Sequence, residues 1–164
     1  MKDARQHLIR ILQNAHAGEL AAAFAYRGHW KSLRKSAAVE REGIKKIERE
    51  EWEHRENVAR WLEKLGAKPR PLREKVFWTI GKLIGAACYV SGWFFPMYFA
   101  GRLESQNVQE YVGAAEFAKE LEMLECFDEM MKMSRVEGEH EEFFRAVVAK
   151  HRLLPITRKV FRWS

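Results

Sequence analysis

Cysteine is nearly absent from this chain: Cys88 and Cys126 are the only two in 164 residues. Both sit in apolar sequence, and their spacing fits neither a zinc site nor a disulfide framework, so a stapled secreted module is excluded and a reducing compartment favoured. Proline is scarce too, at four residues, and none precedes Pro69. The start, Met1-Lys2-Asp3-Ala4-Arg5-Gln6-His7, lacks the apolar stretch of a signal peptide, so export by that route is not expected; a transit peptide already removed is left open. There is no acidic excess. The net charge is +6, with Lys and Arg spread along the chain and a basic end at Arg152, Arg158, Lys159 and Arg162. Such charge suits anionic lipid or nucleic acid and by itself selects neither. What is plentiful is helix-forming sequence: 47% hydrophobic and 32% charged residues, rich in Ala, Leu, Glu, Lys and Arg. The fold class is all-α, and residues 1–164 are long enough for one domain with a core of its own.

Apolar residues recur at helical spacing from Asp3, a plausible N-cap, to about Lys35. A second helix runs from about Val39 to Leu65, stopped by Gly66 and the stiff Ala67-Lys68-Pro69-Arg70-Pro71. Val76 to Gly101 is nearly all apolar, with Lys82 its only charge, and Ser91-Gly92-Trp93 and Pro96 divide it into two helical pieces. A third long helix carries Glu104 and Tyr111. A fourth runs from Cys126 to His151 and ends at Leu154-Pro155. The connection between these last two lies within 113–125, where neither Pro nor loop-like composition marks it.

Two Glu-x-x-His pairs, Glu51/His54 and Glu137/His140, place both side chains on one helix face. With 21 Glu and six His in the chain, about one such pair arises by chance, so the motif alone is weak. The spacing is stronger. Glu51 to Glu137 and His54 to His140 are both 86 positions apart, while Glu19 to Glu104 and Tyr26 to Tyr111 are both 85. Each half therefore has a helix with Glu and a Tyr seven residues on, then a helix with Glu-x-x-His, as an internal duplication would produce.

These residues interrupt apolar stripes instead of lying opposite them. The stripes run Leu8, Leu12, Ala15, Glu19, Ala22, Tyr26; Ile44, Ile47, Glu51, His54, Val58; Met97, Ala100, Glu104, Val108, Tyr111; and Cys126, Met130, Met133, Glu137, His140, Phe144. Glu40, Glu42, Glu63 and Glu120 lie off the stripes and read as solvated. Burying four carboxylates without counter-charge costs several kcal/mol each, roughly. Two divalent ions supply four positive charges, and oxygen-rich ligation with one imidazole per ion suits iron, or manganese, better than a thiolate-seeking metal. Glu19, Glu51, His54, Glu104, Glu137 and His140 match the ligand set of ferritin-like di-iron proteins, which takes a Glu from each of two helices and Glu-x-x-His from the other two. Tyr26, Tyr111 and His16 are candidates for supporting hydrogen bonds to those ligands; His151 stays outside the ligand set. The expected architecture is a ferritin-like four-helix bundle with an additional apolar helical hairpin.

Across nearly its whole length the chain resembles the demethoxyubiquinone hydroxylases of ubiquinone biosynthesis. The resemblance is carried by His16-Ala17-Gly18-Glu19, Tyr26, Glu51-x-x-His54, the apolar 76–101 segment, Glu104-Ser105 and Glu137-x-x-His140, in that order. The chain departs from that pattern at Ala15, where an acidic residue is expected, at Leu20, where an aromatic is expected, and at Gln106-Asn107-Val108-Gln109-Glu110 in place of a histidine-rich stretch. These departures bear on the substrate more than on metal ligation. The resemblance implies a di-iron monooxygenase, cycling Fe2+ and Fe3+, that uses O2 to hydroxylate the ring of a polyprenyl benzoquinone precursor with electrons from a quinol or a nicotinamide.

The implied partners are a lipophilic quinone, O2 and a membrane surface, with no nucleic acid, and a homo-oligomer is compatible. The implied place is peripheral, at the cytoplasmic face of a membrane or the matrix side of an organelle. The Gly and Pro breaks in 76–101 favour a bent hairpin at the interface over a span, and Trp78, Trp93, Phe94, Phe95 and Tyr98 are residue types that settle there. Burial of the hairpin in a soluble oligomer is the competing reading. Two other functions compete: iron oxidation or peroxide reduction in the manner of ferritins or rubrerythrins, and a non-enzymatic helical adaptor binding acidic partners.

Overall fold

The computed structural model describes residues 2–163. They form six helices: α1 Lys2–Ser32, α2 Ala38–Lys64, α3 Pro71–Ala87, α4 Phe94–Glu120, α5 Leu124–Val148 and α6 Leu154–Phe161. Helices α1, α2, α4 and α5 make the bundle, with α1 against α2, α4 against α5, and the two pairs packed face to face through α1–α4 and α2–α5. α3 packs along the outside of α1. Of the expected apolar hairpin, one arm is therefore the additional helix α3 and the returning arm is the first part of bundle helix α4.

Three boundaries differ from the expected ones. Asp3 is not an N-cap; it lies exposed within the first helical turn, its carboxylate 3.2 Å from His7 Nδ1. The turn of the apolar segment falls at 88–93, around Gly92 with φ +77°, and Pro96 sits inside the first turn of α4, where its missing N–H is no loss. The last long helix ends at Val148, and Leu154-Pro155 starts α6 instead of ending α5. The unmarked connection is Leu121–Met123. There Glu122, at φ +58°, takes the left-handed conformation that usually belongs to Gly, and the amides of Glu122 and Met123 bond back to Lys119 and Ala118 at 3.0 and 2.9 Å. Gly66 closes α2 in the same way, with φ +62° and bonds of 2.8 Å from Gly66 to Glu63 and from Ala67 to Leu62.

Two apolar clusters fill the bundle and leave a polar layer between them. One contains Leu8, Leu12, Val58, Leu62, Ala118 and Met130. The other contains Tyr26, Ile44, Met97, Tyr98, Phe144 and Trp163. α6 seals the second cluster: Tyr98 donates to the Thr157 carbonyl at 3.0 Å, and Trp163 fills the space left by Gly101, where a Cβ would lie 2.3 Å from its ring. α3 approaches α1 so closely that a Cβ on Gly81 would lie 2.4 Å from the Ala21 carbonyl oxygen. The same closeness recurs one turn on, where Gly28 meets Gly85.

Candidate metal centre

The polar layer consists of the six residues that interrupt the stripes. Glu51, Glu104 and Glu137 have no exposed surface, and Glu19, His54 and His140 are at most 4% exposed. Their ligand atoms form two groups, each with all atoms within 4.8 Å of one another: Glu19, Glu51, His54 and Glu137, and Glu51, Glu104, Glu137 and His140. Glu51 and Glu137 belong to both. This is the pattern of two adjacent cation positions bridged by two carboxylates, each completed by one further Glu and one His.

The atoms of this layer approach without satisfying one another. His54 Nδ1 lies 2.7 Å from Glu137 Oε1, and His140 Nδ1 3.3 Å from Glu51 Oε1. Even so, both Nδ1 atoms, both Glu51 oxygens, Glu137 Oε1 and Glu19 Oε2 are buried without a hydrogen bond. Orphaned lone pairs of this kind normally cost stability, and a shared cation is what their arrangement suits. Burial pushes Glu19, Glu51 and Glu104 above the usual carboxylate range, with neighbouring carboxylates adding to the push. Burial acts the same way on Glu137 but is outweighed by His140 and His54, so Glu137 ends below its ordinary value. His54 is opposed by burial and raised on balance by Glu137 and Glu19. Without a cation, then, the layer retains protons that a metal would displace.

Tyr26 and Tyr111 support the layer crosswise: Tyr26 on α1 donates to Glu104 on α4, and Tyr111 on α4 donates to Glu19 on α1. Each half of the repeat thus holds the carboxylate of the other. His16 does not join them. Its Nδ1 pairs with Glu74 Oε1 at 2.8 Å, and Arg55 bonds the same carboxylate at 2.6 Å, so His16 fastens α1 to α3. His151 stacks on Phe94 at 4.1 Å, away from the ligands.

Two supporting residues were not singled out from sequence. Asn107 donates to Glu104 Oε2 at 2.9 Å and to Glu137 Oε2 at 3.4 Å. Glu50 Oε2 lies 3.0 Å from His140 Nε2 and orients that ring with Nδ1 toward the carboxylates. Their signals were slight: Asn107 is one helical turn beyond Glu104, and Glu50 merely precedes Glu51.

A cavity of about 270 Å³ opens beside the layer, with α1 as its floor and α3 and α4 as its walls. It is lined mainly by Ala, Ile, Leu and Phe, and it reaches Glu19, Tyr26, Asn107 and Tyr111. Glu110 also borders it, raised by burial to about 7. Along the outside, Leu72, Val76, Trp78, Leu83, Tyr89, Val90, Phe95 and Phe99 are exposed. No described helix is long and apolar enough to cross a membrane.

A four-helix bundle with two Glu/His groups sharing a pair of carboxylates defines a ferritin-like protein with a candidate dinuclear metal centre. The family model of the ubiquinone biosynthesis protein COQ7 matches residues 6–113, and the chain belongs to that family. The match includes Glu19, Glu51, His54 and Glu104; Glu137 and His140 lie beyond it and are joined to the group by the fold. No curated protein and no solved structure is found to match the chain.

Proposed function

We propose that the protein is a di-iron monooxygenase of ubiquinone biosynthesis that hydroxylates the ring of a lipophilic benzoquinone precursor. The observation that carries this reading is the bridged Glu/His layer at the side of an apolar cavity. Iron held there would supply O2 activation; the overall reaction puts one oxygen atom of O2 into a ring C–H bond and releases the other as water, drawing two electrons and two protons from a quinol or nicotinamide donor. Glu19, Glu51, His54 and Glu137 would hold one ion and Glu51, Glu104, Glu137 and His140 the other, Glu51 and Glu137 being common to both groups. Manganese would fit the same donors.

The rest of the chemistry falls to the chain. Tyr26, Tyr111, Asn107 and Glu50 hold four of the ligands in place. The apolar clusters on both sides exclude water from the layer. The cavity walls orient an apolar ring beside Tyr26 and Tyr111. The exposed face of α3 and the start of α4, with Lys75 and Lys82 among its apolar side chains, supports peripheral docking on a membrane, where a quinone with a lipid tail resides.

The direct test is turnover of iron-loaded protein with a short-tailed methoxybenzoquinol under ¹⁸O₂. The expected product carries one ¹⁸O on the ring. Rapid Fe(II) oxidation with no oxygenated quinone would assign the layer to iron oxidation, and purification without iron or manganese would favour the adaptor.

A further inference from the structure

His29 is a buried polar group that the metal layer does not use. It follows Glu19, Ala22 and Tyr26 on the inner stripe of α1, is 2% exposed, and stacks on Phe144 with ring centroids 6.4 Å apart. It lines the same apolar cavity, and its Nε2 is buried without a hydrogen-bond partner. A histidine kept for packing alone would be better replaced by an apolar ring, because an unsatisfied nitrogen is costly in such surroundings. Burial lowers its pKa to about 4, so the imidazole is neutral near pH 7, with one nitrogen as donor and the other as acceptor.

Its position matters. His29 lies one helical turn beyond Tyr26, about 4.5 Å along the axis, and ten residues beyond Glu19, about 15 Å. Cys88 and Pro96 border the cavity at its end near the α3–α4 turn. A ring lying in the cavity beside Tyr26 would therefore have its far edge toward His29.

We propose that His29 Nε2 is a substrate-binding group that hydrogen-bonds an oxygen substituent on the edge of the ring facing away from the metal layer. This rests on the quinone reading above and sharpens it: the ligand is a ring bearing oxygen on the side opposite the reacting carbon. A neutral imidazole suits both redox forms. It donates to the carbonyl of a quinone as one tautomer and accepts from the hydroxyl of a quinol as the other.

The test uses the iron-loaded protein and two probes with the same alkyl tail, a methoxybenzoquinone and an alkylbenzene without oxygen, with affinities read by quenching of tryptophan fluorescence or by competition. His29→Leu is expected to weaken the quinone roughly tenfold, the factor equivalent to about 1.4 kcal/mol, and to leave the alkylbenzene unchanged. His29→Gln is expected to restore most of the quinone affinity. In the wild-type protein, infrared spectra of the bound quinone should show a carbonyl stretch shifted to lower frequency, and the shift should be lost in His29→Leu. Unchanged quinone affinity in His29→Leu, equal weakening of both probes, or an unshifted carbonyl would overturn the assignment while leaving the quinone reading standing. Failure of the wild-type protein to bind the quinone at all would overturn both.

Discussion

Glu19 and Glu104 are each gripped by a tyrosine from the opposite helix pair, so removing one hydroxyl should loosen one site without unfolding the bundle. Tyr111→Phe is expected to lower metal affinity by roughly 10- to 100-fold, as loss of a supporting hydrogen bond does, with circular dichroism unchanged; isothermal titration with Mn(II) measures it. His29 gives a pH effect of definite sign. Its native pKa of about 4 lies below the ordinary 6.5, so the unfolded chain binds the extra proton, and stability present above pH 6.5 is lost as pH falls toward 4. The full loss is about 3 kcal/mol. Urea titrations between pH 7 and 4 should show that part of the loss missing in His29→Gln. The six clustered residues were legible in sequence because they occupy core positions and recur at a fixed interval. Asn107 and Glu50 were not, because the repeat breaks there: the matching positions hold Ala22 and Val136. His16 misled because it lies one turn before Glu19, yet it faces α3.

Among the elements, the long helices were legible from their stripes, and Gly66 marked the end of α2. The α4–α5 connection was hidden because Glu122 does the work of a glycine, and α6 because a proline that ends one helix equally starts the next. Glu122→Gly removes the steric cost of a left-handed side chain and should stabilise the protein by about 1 kcal/mol, seen as a higher urea midpoint at unchanged slope. Gly81→Leu should do the opposite. Its Cβ would meet backbone atoms of Ala21 at 2.4 and 2.7 Å, so α3 must move off α1, at a cost of roughly 1–3 kcal/mol. The same displacement would reshape the cavity, and quinone binding should weaken alongside stability.

At the scale of the whole molecule, two helix pairs close over a layer of carboxylates and imidazoles, apolar clusters shield it on both sides, and an outer helix adds a cavity and an exposed apolar face. Composition and periodicity pointed to the bundle; the cavity was not visible in them, because it arises from how α3 stands beside α1 and α4. Sharing of Glu51 and Glu137 between the two groups is the feature on which the functional reading turns. On the proposed reading it makes the ligands unequal: a shared residue would serve both cations, and Glu104 or His54 only one. The most direct test is anaerobic Fe(II) titration with metal counting on the wild-type protein, Glu51→Ala and Glu104→Ala. Two irons per wild-type chain are predicted, with one retained in Glu104→Ala and little or none in Glu51→Ala. A single iron per wild-type chain, or equal retention in the two variants, would contradict a bridged dinuclear centre.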